Sequence, residues 1–280
     1  ASTTPLRLPW VTAAGVAEPN PDDFKWELYN IAEDSSQAND LAAANPEKLK
    51  ELQEAFEVEA QKYNVYPLDS SFAARLDPAI RPSLSRGRSE FVFYPGLIRI
   101  PEGSAPDFKN KSWSIAAELD VPEGGADGVL ATMGGMFGGW GLFILDGKPQ
   151  FAYRVSNQPQ HLYRIAAPDA LTSGAHTVRV DFRYDGGIGK GATVRMLVDE
   201  KQVAEGRVEQ SVVARFSLDE TFDIGADTGT AVVDDYAGKM PFEYGGKLKR
   251  LLVVLEPEKL DEKDKQRLLE QLAHASVAVH

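Results

Sequence analysis

From about residue 90 onward the apolar residues of this chain recur at every second position, and that period admits few folds. Trp113, Ile115, Ala117, Leu119 and Val121 alternate with Ser112, Ser114, Glu118 and Asp120. Val178, Val180, Phe182 and Tyr184 alternate with Thr177, Arg179, Asp181 and Arg183, and Val194, Met196 and Val198 with Thr193, Arg195 and Asp199. Successive side chains of a strand point to opposite faces, so each run buries one face and wets the other. Short runs of this kind between turn residues predict an antiparallel β-sandwich over residues 90–256. Asp146-Gly147 suits a primed hairpin turn, and Asp185-Gly186-Gly187 ends another strand. The glycines of Met133 to Gly141 are followed by neither Lys-Ser/Thr nor a helix pattern, so they read as a tight strand connection rather than a phosphate loop. The last strand, Leu248 to Leu255, is expected to break at Pro257. Asp261 then caps a terminal helix in 257–280, with Asp264 in the capping-box position and Leu268, Leu269, Leu272 and Ala273 as its apolar stripe.

The first 66 residues follow a different pattern. Pro5, Pro9, Pro19 and Pro21 make residues 1–25 extended loop, with room for one short strand. Trp26 to Ile31 alternates as a half-buried strand, and Glu33 to Ser36 supplies a turn. Asn45 as N-cap and Pro46 in the first helical position open a helix whose apolar face is Leu49, Leu52, Phe56, Ala60 and Tyr63. One strand and one helix bury too little area to stand alone, so this face needs a partner surface. Residues 67–89, interrupted by Pro67, Pro78 and Pro82, read as a linker at a domain boundary.

Composition narrows the function. With 280 residues, 43% apolar, the chain can hold one large domain and an appendage. Lys and Arg number 30 against 42 Asp and Glu, a formal charge of −12 that repels nucleic acid and anionic membrane surfaces. The absence of cysteine removes disulfides, thiolate metal sites and cysteine nucleophiles. No run of 18 apolar residues offers a membrane span. The first residue, Ala1, is not Met and no signal-peptide pattern follows it, which leads us to expect a cut or processed start.

The segment Trp26-Glu27-Leu28-Tyr29-Asn30-Ile31-Ala32-Glu33-Asp34, with Ser36 to Ala42 and the Asn45-Pro46 helix, resembles the C-terminal end of the sulfatase family, where an "ELYDL…D…E…NLA" segment precedes a helix. Asn64 to Asp69, Pro78 to Pro82 and the sandwich look like bacterial arylsulfatases extended by a laminin-G or concanavalin-like jelly-roll module. The resemblance implies a mostly β chain: the strand and helix ending a sulfatase subdomain (1–66), the linker (67–89), the sandwich (90–256) and a helical tail (257–280). It also implies a catalytic sulfatase domain upstream in the same polypeptide, and a periplasmic or secreted parent using formylglycine and a divalent metal such as Ca²⁺. No cofactor is expected in this chain. The family's Cys/Ser-x-Pro-x-Arg nucleophile motif is absent, so the chain alone is expected to be non-catalytic. Its sandwich would then be a structural, active-site-shaping or homo-oligomerisation module.

The alternative is a stand-alone lectin-like glycan-binding module. Arg154, Gln158, His161 and Tyr163, flanking the Asn157-Gln158-Pro159 loop, are the candidate polar rim for a ligand. Phe137 and Trp140 offer either a sugar-stacking face or buried packing. His161, His176, His274 and His280 are too scattered for a ligand set. Asp223, Asp227, Asp234 and Asp235 suggest rim oxygens for Ca²⁺, with Asp-before-Gly turn chemistry as the plainer reading and no metal assigned.

Overall fold

The chain divides into two units, Ala1–Arg81 with Leu269–His280, and Pro82–Leu268. The computed structural model describes residues 2–4, 24–68, 85, 87–217 and 219–268.

In the first unit β1 (Ser2–Thr4) pairs antiparallel with β2 (Lys25–Glu27), placing Thr3 opposite Trp26. The strand expected over Trp26 to Ile31 therefore stops at Glu27, because local acceptors take up the backbone donors that follow. Asp40 Oδ1 accepts from Leu28 N and Ala42 N, both at 2.9 Å, and the Asp34 carboxylate accepts from Ala38 N at 3.1 Å and Asn39 N at 2.8 Å. Carboxylates that capture nearby N–H groups compete with sheet pairing.

Helix α1 (Pro46–Lys62) has the bounds its sequence predicts, with Pro46 at the start and Glu47 in the first turn. Asn45 does not cap it through its side chain, which instead donates to Leu41 O at 3.5 Å. Ala60 is buried and Leu49, Leu52 and Phe56 are half-buried, while Tyr63 stays exposed. Trp26 meets Phe56 edge-on at 5.5 Å, and Leu28 is buried. Phe56 of the helix's apolar face thus meets Trp26, within the same unit.

The second unit is two six-stranded antiparallel sheets. Its strands are β3 (Glu90–Phe93), β4 (Ile100–Pro101), β5 (Lys111–Val121), β6 (Gly128–Gly135), β7 (Gly138–Leu145), β8 (Lys148–Arg154), β9 (Leu162–Ala166), β10 (Gly174–Tyr184), β11 (Ala192–Val198), β12 (Lys201–Val208), β13 (Thr221–Ile224) and β14 (Lys247–Glu258). Sheet one runs β12-β11-β10-β5-β14-β3 and sheet two β4-β13-β6-β7-β8-β9. The three alternating runs of the sequence are β5, β10 and β11, neighbours in sheet one that bury the odd or even set the period assigned. Asp146 and Gly147 both have positive φ, as a primed turn between β7 and β8 requires. The chain is mostly β, and its second unit is an antiparallel β-sandwich, as the alternation predicts.

Between the sheets lies an aromatic core in which Trp113 stacks on Phe182 at 4.7 Å and Phe108 meets Trp140 edge-on at 4.8 Å. A second, smaller core lies on the outer side of sheet two: Val232, Val233, Tyr236 and Phe242 pack onto Val129, Phe143, Leu145 and Ala152. Residues 231–242 thus form a strap across that face. In β7, Trp140, Leu142 and Ile144 face the sandwich interior while Phe143 and Leu145 face the strap.

The C-terminal end departs from expectation in one respect. β14 continues through Pro257 to Glu258, because a register shift between Leu255 and Glu258 lets the missing N–H go unpaired. Beyond it residues 262–268 are helical, and Asp264 N donates to Asp261 Oδ1 at 2.7 Å, the cap expected there. Of the apolar stripe, Leu269, Leu272 and Ala273 lie outside the described residues.

Candidate functional site

Several loops converge at one end of the sandwich: the β6–β7 tip (Met136 and Phe137), the β8–β9 loop (155–161), the segment before β13 and the turn around Thr230. Their closeness is measured by the glycines between them. A Cβ on Gly138 would sit 2.5 Å from Phe216 O and 3.6 Å from Val155 O, and one on Gly135 would sit 2.4 Å from Thr230 Oγ1. The glycine-rich stretch is therefore a hairpin drawn tight against its neighbours, as its sequence suggested.

The two aromatics of that hairpin have opposite fates. Trp140 is fully buried in the core, whereas Phe137 at the tip is 59% exposed. The tip is held from below: Met136 N donates to Thr230 Oγ1 at 3.0 Å, and Thr230 Oγ1 donates to Glu220 Oε1 at 2.7 Å.

The candidate rim residues separate. Arg154 and Leu162 are registered partners on the outer face of sheet two, and Tyr153 and Tyr163 are partners on its inner face. Arg154 is 3% exposed, donates through Nε to Val232 O at 2.8 Å and lies 3.8 Å from Asp234, so it pins the strap. Tyr163 packs half-buried against the core, and burial holds its phenol above the ordinary range. Gln158 and His161 remain together on the exposed loop. There Ser156 Oγ and His161 Nδ1 lie 2.8 Å apart, Gln160 Nε2 donates to Gln158 Oε1 at 2.6 Å, and Val155 N donates to His161 O at 2.9 Å. This loop stiffens itself, leaves Gln158 and Gln160 exposed with His161 half-buried, and starts at Val155, whose carbonyl lies 3.6 Å from where a Cβ on Gly138 of the hairpin would stand.

The acidic segment is built differently from a cation site. Asp223, buried, accepts from Arg99 N, Thr221 Oγ1 and both donors of Thr228. Asp227 accepts from Tyr236 Oη at 2.8 Å and Gly229 N at 3.3 Å, and Asp235 forms a two-bond pair with Arg164. Among the described residues no group of three or more His, Cys, Asp or Glu side chains is arranged to hold a metal. His176 bridges Asp199 Oδ2 at 2.7 Å and Thr172 O at 3.0 Å; His274 and His280 lie outside the described residues.

Glu220 and Thr230 carry no motif and were not singled out by sequence. The only trace of their role is the pair Gly135 and Gly229, which leaves space for them.

No family model and no curated protein matches this chain. Solved structures that do match include the CBM40 module of the Ruminococcus gnavus IT-sialidase bound to α2,3-sialyllactose, at 14% identity and a TM-score of 0.40, over 64% of this chain and 96% of that one. A leech intramolecular trans-sialidase matches at 11% identity and a TM-score of 0.38, over 69% and 28%. The LG4-5 domains of the mouse laminin α1 chain match at 14% identity and 0.36, over 62% and 41%. The likeness is one of fold type alone. No sulfatase family model matches, and these neighbours are a sialidase module, a trans-sialidase and a laminin G pair rather than sulfatases, so the resemblance to the arylsulfatases is corrected: nothing supports it. The Trp26 to Ala42 segment that suggested it is accounted for by its own turn chemistry around Asp34 and Asp40.

Proposed function

We propose that this chain is a lectin-like glycan-binding module whose ligand site is the loop end around Phe137. The observation that carries the reading is an exposed aromatic ring on a braced hairpin tip beside a loop of side-chain amides and an imidazole. A sugar offers an apolar C–H face for such a ring and hydroxyls for Gln158, Gln160 and His161, and a platform held in place before binding loses little entropy on association. Arg154 and Tyr163 act behind this surface, one fastening the strap and the other packing beneath the β8–β9 hairpin.

The test is a glycan array with neutral and sialylated ligands, followed by titration calorimetry on the best binder. Phe137→Ala is expected to weaken binding about tenfold, the equivalent of one aromatic stacking contact of ~1.4 kcal/mol, with thermal stability unchanged. A chain that binds no glycan, or a variant that binds as tightly as the parent, overturns the reading.

A further inference from the structure

Beneath the exposed ring lies a relay of polar groups, and nothing in the stacking role of Phe137 alone accounts for it. Glu220 is half-buried directly before β13, and its carboxylate has no cationic partner among the described residues. Both of its oxygens are directed at Thr230: Thr230 N lies 3.2 Å from Oε1 and 3.0 Å from Oε2, and Thr230 Oγ1 donates to Oε1 at 2.7 Å. Having given its proton to Glu220, the Thr230 hydroxyl oxygen can only accept, and what it accepts is the N–H of Met136 at 3.0 Å, the residue before Phe137. A carboxylate at the far end polarises the hydroxyl and makes it the stronger acceptor.

Two glycines make the relay sterically possible. A Cβ on Gly229 would stand 1.8 Å from Glu220 Oε2, and one on Gly135 would stand 2.4 Å from Thr230 Oγ1 and 3.0 Å from Glu220 Cδ. Neither residue has a positive φ that would demand glycine for the backbone's sake, so the requirement comes from the close approach itself.

We infer that Glu220 and Thr230 are positioning residues for the Phe137 platform: they set the hairpin tip through the Met136 amide and so determine glycan affinity without touching the glycan. The inference rests on the glycan reading of this end of the sandwich, and half of its test is independent of any ligand. Amide hydrogen exchange at Met136, read by NMR on the full chain, reports the relay directly. Titration of the array-selected glycan reports its effect on binding.

Thr230→Val is expected to abolish the protection of the Met136 amide and to weaken glycan binding about three- to tenfold, the range of one hydrogen bond, with the melting temperature held. Thr230→Ser, which keeps the hydroxyl, restores both. Gly229→Ala, which displaces the Glu220 carboxylate, reproduces the loss. In a Phe137→Ala background Thr230→Val costs no further affinity, because the group being positioned is gone. Unchanged Met136 exchange in Thr230→Val, or an affinity loss that persists undiminished in the Phe137→Ala background, overturns the inference. Should the parent chain bind no glycan, the functional reading fails on that result, while the Met136 exchange rates still decide whether Thr230 sets the tip.

Discussion

Lys109 lies 4% exposed between Glu102, at 2.6 Å, and Asp107, at 2.7 Å. Burial alone would raise the Asp107 carboxyl, but Lys109 and Lys111 together hold it at about 2, and the two carboxylates keep the Lys109 ammonium above its usual range against the same burial. The other Glu102 oxygen accepts from Phe216 N at 3.1 Å, which ties this triad to the segment that packs against Gly138 of the β6–β7 hairpin. Lys109→Met strands the buried Glu102 carboxylate and leaves Asp107 with Lys111 alone, and is expected to cost about 3–5 kcal/mol, read as a fall in the urea midpoint. A loss below ~1 kcal/mol would mean the carboxylates find water instead. Asp227 works in the opposite direction. Burial pushes its carboxyl up from 3.8 to about 6, opposed by the bonds from Tyr236 and Gly229. Because the folded value lies above the unfolded one, the native state binds the proton more tightly: the stabilisation is complete below pH 3.8 and is lost as pH rises through about 6. A two-unit shift corresponds to about 3 kcal/mol. Asp227→Asn, which mimics the protonated form, should flatten the melting temperature between pH 4 and 7.5 where the parent declines; parallel profiles would contradict this.

At the scale of elements, the β6–β7 hairpin is the most tightly constrained piece of the sandwich. Gly134 has φ +72°, and a Cβ there would stand 2.1 Å from Gly138 O across the hairpin. Gly134→Ala therefore combines a left-handed backbone with a direct backbone clash, and is expected to destabilise by more than ~2 kcal/mol in denaturant unfolding. A neutral result would show that the tip can re-form with another register. The same hairpin explains what sequence reading could and could not reach. β5, β10 and β11 were legible because sheet one is wet on its outer side and their residues alternate. β6 and β7 are buried at every position, one face by the core and one by the strap, so their apolar residues run on without a period. The helix Pro46–Lys62 was legible to the residue from its proline and its 3.6-residue stripe. The strand before it stops short because Asp40, twelve residues on and outside any periodic pattern, captures the Leu28 N–H that a longer strand needed.

At the scale of the molecule, Pro82–Leu268 carries both apolar clusters and both six-stranded sheets. Expressed alone, residues 82–268 are expected to keep the near-UV circular dichroism of the Trp113–Phe182 stack and to unfold in one cooperative step; a chain lacking fixed aromatic signals would show that this core is not self-sufficient. The candidate site shows how far sequence carries at this scale. Neighbourhood along the chain brought Arg154, Gln158, His161 and Tyr163 into one group. The pleat then sent Arg154 outward and Tyr163 inward, so that only the loop residues share a surface, and Thr230 and Glu220 arrived from positions more than 80 residues beyond Met136. By itself the sequence determined the β-sandwich, the helix, the Asp146-Gly147 turn and the absence of a sulfatase nucleophile, since each depends on local periodicity, local φ or a motif. Only the tertiary structure decided that Phe137 is exposed while Trp140 is buried, that a strap closes the outer face of sheet two, and that a distant carboxylate braces the hairpin tip. Those outcomes depend on which strands become neighbours, and pairing between strands far apart in the chain leaves no local mark in the residues that form it.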